Sequence, residues 1–284
     1  MNNYLEENYD LNDPFLVSII DELPLWSAPF GLKLLNTVIL KPNMNILDIG
    51  CGTGFPLIEL ANRLGQKCRV YGIDPWERAI ERIQLKIKTQ NLTNVTVVNG
   101  KAEDMPFEGE FFHLIVSNNG INNVENSETV LAECFRVSRS GAQMVITVNL
   151  SDTMIEFYTV FEETLKEQGK LKEVEKMKAH IYKKRTPLDT TISMINKAGF
   201  RVIQIYEDSF YMRYLDGTAM FNHFFIKLAF LDSWKKILSP ADREPIFEIL
   251  EQKLNKISKR SGVLNLTIPY VCIDCQKSPS RTKC

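Results

Sequence analysis

The sequence predicts an α/β protein built on a doubly wound, mostly parallel seven-stranded sheet, with helices on both faces and a helical cap. Three observations carry this expectation. Between residues 45 and 150, apolar runs (NILDI, RVYGI, VTVVN, FHLIVS, QMVITVNL) alternate with stretches of helical spacing, the pattern of a parallel sheet covered on both faces. The first run enters the stretch NILDIGCGTGFP, Asn45 to Pro56, where Gly50, Gly52 and Gly54 make a tight turn into a helix. Two later runs, RVIQIYEDSF and VLNLTIPYVCID, bring the strand total to seven.

The elements follow in order. Residues 1–44 read as helical pieces: Asp13-Pro14 starts one, Pro24 stops it, and Pro29 or Gly31 opens PFGLKLLNTVIL. Their aromatics (Tyr4, Tyr9, Phe15, Trp26, Phe30) suit either a lid over a ligand or an amphipathic layer on the sheet. Residues 45–150 form the ligand-binding core. Residues 151–284 complete the sheet with helical insertions that form a cap: a charged helical stretch from Thr153 to Lys184, a shorter helix after Pro187, a second insertion from about Gly217 to Arg260, and a polar tail from Gln276.

Composition narrows the function. The chain is 44% apolar and 24% charged with a formal net charge of -1, so it carries no electrostatic footprint for nucleic acid or an anionic membrane. Six scattered cysteines (Cys51, Cys68, Cys134, Cys272, Cys275, Cys284) and a polar N-terminus point to a reduced, cytoplasmic protein. The most apolar long stretch, FNHFFIKLAFLDSW, contains His223, Lys227 and Asp232, so no membrane span is expected. Cys272-x-x-Cys275 is a single pair where a structural zinc takes four ligands, and no metal is expected.

The glycine turn departs from both common nucleotide patterns. It lacks the G-x-G-x-x-G spacing of dinucleotide folds and the G-K-[ST] ending of phosphate loops, and no Lys or Arg occurs from Asn45 through Asn62. Such a loop suits a ligand without phosphates. Asp74, at the end of the second strand, has the chemistry to accept hydrogen bonds from both hydroxyls of a ribose, and equally to cap the helix that follows Pro75.

In register, the segments ILDIGCGTG, VYGIDP, NGKAEDMPF, FFHLIVSNNGINNV and LAECFRVSRSGAQMVIT resemble the class I S-adenosylmethionine (SAM) dependent methyltransferases, in the small-molecule, quinone-biosynthesis-like branch. The resemblance covers residues 40 to 150 and implies a Rossmann-like core. It also implies SAM as cofactor, S-adenosylhomocysteine as product, and a small-molecule methyl acceptor. Carried over by residue, it places Asp48 near the ammonium end of the methionine moiety and Asn118 on the cofactor-lining position. Gly50, Gly52, Gly54 and Asp74 then form the cofactor loop and the ribose acceptor. Trp76 is a candidate to stack on the adenine, or a packing tryptophan.

Two positions depart from the family. Lys101 stands where an acidic residue normally precedes Ala102, leaving the adenine contact to Ala102 with Glu103 or Asp104. Asn122 and Asn123 stand where the branch often has His. For acid-base work the candidates are His223, Tyr206 and Tyr211. The acceptor site is expected under the Gly217–Arg260 insertion together with the N-terminal helices; the insertion is rich in Phe221, Phe224, Phe225, Phe230 and Trp234, and at helical spacing Phe221, Phe224 and Phe225 fall on one face with Leu228. The competing readings are a non-catalytic SAM-binding sensor or scaffold, a nicotinamide oxidoreductase, and an amino-group nucleic-acid methyltransferase. The last is disfavoured by Ser117-Asn118-Asn119-Gly120 at the place of its Pro-Pro motif.

Overall fold

The structure is a computed structural model that describes residues 3–22 and 25–278; the predicted stop at Pro24 and the predicted tail from Pro279 onward lie outside the described residues, whereas Gln276 and Lys277, expected to begin that tail, belong to the last strand, where Gln276 pairs with Gln143. The seven predicted strands are present. They are β1 (Asn45–Ile49), β2 (Arg69–Asp74), β3 (Val95–Asn99), β4 (Phe112–Asn118), β5 (Ser138–Asn149), β6 (Phe200–Tyr214) and β7 (Leu264–Lys277), in the order β3-β2-β1-β4-β5-β7-β6. β1 pairs in parallel with β2 and β4, β2 with β3, and β4 with β5, whereas β7 runs antiparallel to β5. Chain order reverses between β1 and β4, and in open sheets of this kind ligands bind beyond the carboxyl ends of the strands at that point.

Chain contacts divide the protein into two compact units. The first comprises Leu11–Asn149, Thr186–Asp208 and the chain from Tyr270. In it α1 (Pro14–Asp21) starts where Asp13-Pro14 predicts, the Asp13 carboxylate accepting from the Phe15 amide at 2.9 Å. The next helix, α2 (Ser27–Thr37), begins before both predicted starts. Pro29 is tolerated there because first-turn amides have no partner within the helix. Leu34 of α2, Leu60 of α3 (Leu57–Leu64), and Ile80 and Ile83 of α4 (Glu77–Thr89) pack with Ile46, Val70, Leu114 and Val116. Leu47 and Ile49, whose side chains point to the other face, are equally buried, so β1 is covered on both sides.

The start of β5 is irregular. Phe112 pairs with Ser138 and Leu114 with Gln143, so two residues of β4 span five of β5, and Arg139 to Ala142 bulge out around Gly141, whose φ is +75°. Regular pairing resumes at Gln143, which is where the apolar alternation of the sequence begins.

The second unit comprises the chain up to Asp10, Leu150–Arg185 and Ser209–Pro269. The helical stretch expected from Thr153 to Lys184 is two helices, α6 (Ile155–Glu167) and α7 (Leu171–Lys184), separated where Gly169 takes a φ of +68°. The Gly217–Arg260 insertion is also interrupted. It holds α9 (Gly217–Asn222), following α5 (Ser127–Val137) and α8 (Leu188–Lys197) of the first unit, then α10 (Phe224–Ile226), a π-helical turn (Lys227–Leu231), α11 (Asp232–Lys235) and α12 (Pro240–Ser261). His223 is extended between α9 and α10, so Phe221 does not continue one helical face with Phe224 and Phe225.

The aromatic residues of the insertion build this unit's own core. Trp234 is fully buried, stacks on Phe157 at 4.0 Å, and donates its indole N–H to the Tyr158 hydroxyl at 3.0 Å. Phe221 stacks on Tyr4 at 5.1 Å and meets Phe247 edge-on. Trp234→Ala removes a full aromatic payload and orphans a hydroxyl. It should lower stability by about 3 to 5 kcal/mol in denaturant titration of the full chain, and a loss below about 1 kcal/mol would mean the unit's core lies elsewhere.

Candidate functional site

Gly50, Gly52 and Gly54 adopt φ values of +70°, +49° and +109°, a region disfavoured for side chains with a Cβ, and so turn β1 sharply into α3. Two contacts close the turn. A Cβ on Gly120 would meet the Ile49 carbonyl at 2.5 Å and the Ser117 hydroxyl at 2.7 Å, so only glycine allows the loop after β4 to approach this closely. From β2, Asp74 Oδ2 accepts from the Gly52 amide at 2.8 Å while Oδ1 accepts from the Trp76 amide at 2.8 Å. One carboxylate thereby holds the glycine turn and caps α4. Asp74 is 9% exposed; burial pushes its pKa up, and the two backbone N–H groups oppose the rise.

Asp48 precedes the turn and is fully buried. Neither of its oxygens has a hydrogen-bond partner of ordinary geometry. Burial first, and the Asp74 charge second, raise its pKa well above the carboxylate range, the Leu57 amide pulling weakly the other way. A buried carboxylate left this way is poised for a cationic group or a donor.

A cavity of about 250 Å³ opens beyond β1 and β2, walled by Gly50, Asp74, Ala102 and Glu103 among the expected residues. Lys101, Gly120 and Asn123 also line it. Asp48, Gly52, Gly54, Trp76 and Asn118 are not on that wall. Asn118 is committed at both ends of its amide, donating to the Ser27 carbonyl at 3.1 Å and accepting from the Thr147 hydroxyl at 2.9 Å. Trp76 occupies the N-cap position of α4 without a capping side-chain bond and donates its indole N–H to the Leu11 carbonyl at 3.0 Å. Glu103 Oε1 accepts from the amides of Glu125 and Asn126, which anchors the loop before α5, and Lys101 pairs with Glu125 at 2.8 Å on the surface. Gly120 was legible only as the glycine of SNNG; its role depends on the close approach of a second loop, which no local pattern reports.

The glycine turn has no cation in its own sequence, but Lys86 of α4 donates to the Thr53 carbonyl at 2.7 Å. Lys86 and Arg82 both pair with Asp21 at the end of α1. Burial raises the Asp21 pKa, and the hydrogen bonds from Lys86 and Arg82 outweigh it and hold the carboxyl below its usual range.

The acid-base candidates lie off this cavity. Tyr206 sits under the Lys33 ammonium at 4.8 Å, and Tyr211 is 60% exposed on β6. His223 packs on Tyr214 at 5.3 Å, with burial lowering its pKa. Cys272 and Cys275 are buried three residues apart on β7, so they point to opposite sheet faces and cannot share a metal, and no group of three or more metal-type side chains occurs among the described residues. No helix among those residues is long and apolar enough to cross a membrane.

With this geometry in place, comparison with known proteins is direct. Residues 40–207 match the family model described as a methyltransferase domain. The chain belongs to that family, the class I SAM-dependent methyltransferases. It is 32% identical to the demethylmenaquinone methyltransferase of Geobacillus sp. (strain WCH70) over 115 residues, covering 40% of this chain and 49% of that one. It is also 32% identical to the (+)-O-methylkolavelool synthase of Herpetosiphon aurantiacus, over 38% of each chain. The match thus spans about half or less of these relatives. The fold is similar to that of a solved methyltransferase-type protein from Bacillus halodurans C-125, with a TM-score of 0.56 at 19% identity over 87% of this chain and 98% of that one.

The Asp48 carboxyl has a testable signature in the ligand-free protein. With its folded pKa above its unfolded value, its contribution to stability is present below the unfolded pKa and is lost as pH rises toward the folded pKa. Asp48→Asn should therefore match the parent protein near pH 4 and exceed it at pH 8. The expected gain in Tm is at least about 2 °C, what roughly 1 kcal/mol makes in a chain of this size. A lower Tm at pH 8 would show that the ionised carboxylate has a partner in the fold.

Proposed function

We propose that the chain transfers the methyl group of SAM to a small-molecule acceptor. The observation that carries this reading is the unpartnered Asp48 carboxylate behind a glycine turn that opens onto a cavity shared with Asp74. When bound, SAM supplies an electrophilic methyl group on a positively charged sulfonium. The residues present suit it. A cationic amino-acid end beside the turn would favour the ionised form of Asp48, and Gly50, Gly52 and Gly54 let main chain approach a ligand, with open space where a Gly52 side chain would stand. Each Asp74 oxygen accepts one backbone bond and retains a lone pair for a ribose hydroxyl. Ala102 and Glu103 would wall the adenine side, with Trp76 off that wall and its indole N–H committed to the Leu11 carbonyl, and Asn118 braces the loop that carries Gly120.

Methyl transfer from a sulfonium asks mainly for in-line positioning and exclusion of water, which are worth effective molarities of about 10⁵ M or more. We assign no general base; none of His223, Tyr206 and Tyr211 lines the cavity. The two relatives are named for demethylmenaquinone and O-methylkolavelool, and the class they share, a small organic molecule, is what we carry to this chain. We further propose that residues 1–44 contribute a helical lid and that acceptor selection lies in residues 151–284, in a protein of the cytoplasm.

One observation favours a second reading, a SAM-binding protein without turnover. Where the family branch often has His, the Asn122 amide donates to Asn119 and Asn149 at 2.7 and 2.6 Å and offers no base. Turnover separates the two: incubation with isotopically labelled SAM and cell extract should yield one metabolite carrying the labelled methyl group by mass spectrometry. SAM binding with no labelled product would select the second reading.

Asp74→Ala should weaken SAM binding by about 2 to 4 kcal/mol in calorimetry, since hydrogen bonds to a charged group contribute about 1.5 to 3 kcal/mol each and act non-additively. Unchanged affinity would leave Asp74 as a cap alone, and tight NADH binding without SAM binding would overturn the cofactor assignment.

A further inference from the structure

At the opposite edge of the sheet, beyond the amino ends of β1, β4 and β5, lies a second cavity of about 600 Å³. It is separated from the glycine turn by the length of β1, five residues or roughly 17 Å. Its wall includes the β5 bulge, which thrusts Arg139 toward His113 at the start of β4. Their meeting is chemically incomplete. His113 Nδ1 accepts from the Asn45 amide at 3.0 Å, so the neutral ring carries its proton on Nε2. That Nε2 faces Arg139 Nη1 at 3.2 Å, and a guanidinium can only donate. Two donors thus stand at hydrogen-bond distance with no acceptor between them.

The surroundings have the same bias. Lys41, Arg139 and Arg201 are exposed on this wall, and none forms an ion pair among the described residues. The acidic group on the wall, Asp274, accepts from the Gln143 amide at 2.9 Å; burial raises its pKa, and that hydrogen bond opposes the rise. In a chain with 34 basic and 35 acidic residues, three cations and one carboxylate on a single wall are a local excess of positive charge. Ile39 and Ile203 on the same wall are 53% and 47% exposed, so the cavity also presents apolar surface.

We propose that this cavity is a binding site for a small amphiphilic oxyanion. An anionic oxygen accepts from both His113 Nε2 and Arg139, Arg201 and Lys41 supply the remaining field, and a short apolar body lies against Ile39 and Ile203. The site is independent of SAM, so its success or failure leaves the cofactor assignment where it stands.

Hexyl phosphate is the probe, with inorganic phosphate and hexanol as its two halves, titrated calorimetrically into the full chain. The expected order is hexyl phosphate tighter than phosphate, with hexanol silent. Arg139→Gln should weaken hexyl phosphate by about tenfold or more, the loss of one charge-assisted contact, and Arg139→Gln with Arg201→Gln should abolish saturable binding. Both variants should keep the thermal unfolding midpoint of the parent protein within about 2 °C, which certifies their fold. Sedimentation with phosphatidylcholine vesicles, with and without phosphatidic acid, separates the sources. Pelleting that needs phosphatidic acid and is lost in the double variant assigns a lipid headgroup, whereas hexyl phosphate binding without pelleting assigns a soluble ester. No saturable hexyl phosphate binding at millimolar concentration, or equal binding by the double variant, overturns the proposal.

Discussion

The carboxylate of Asp74 joins two backbone segments that would otherwise leave amides unsatisfied at the edge of the sheet: the glycine turn, through Gly52, and the first turn of α4, through Trp76. The left-handed φ values of Gly50, Gly52 and Gly54 make the turn possible, and the fit of Gly120 against Ile49 brings the β4 loop onto it. These constraints are mutual. A turn without Asp74 lacks its tether to β2, and a turn with a side chain at position 120 cannot meet β4.

Much of this was legible in the amino acids because it is local. Apolar runs mark strands wherever both sheet faces are covered, and a glycine triplet after one of them leaves few alternatives to a sharp turn. Asp13-Pro14 marks a helix start for the same kind of reason, a capping side chain beside a residue with no amide to lose. What escaped local reading depends on distant partners. Gly120 matters only because Ile49 lies against it. The helix breaks at Gly169 and His223 cut through continuous amphipathic stretches, and the β5 bulge follows from a pairing register that sequence spacing does not encode. Lys86 reaches the glycine turn from the far side of a helix-length of chain, so a loop without cations in sequence has one in space.

Asp48 shows a conflict between stability and recognition. Burial at the end of β1 works against its ionised form, and a nearby like charge adds to the penalty. A hydrophobic residue of similar size would suit the ligand-free fold better. A cation or a donor arriving beside it would lower that penalty, so the same burial that weakens the ligand-free fold would strengthen the binding of such a group.

The triad of Asp21, Arg82 and Lys86 bears on which ligands the turn can tolerate. Lys86 brings its ammonium onto the Thr53 carbonyl, within the glycine turn. Asp21 offsets that charge only in part, because its carboxylate is shared between Lys86 and Arg82. One carboxylate faces two cations, so with all three groups ionised the cluster carries a net charge of +1: seating Asp21 at the end of α1 halves the positive charge beside the loop rather than cancelling it.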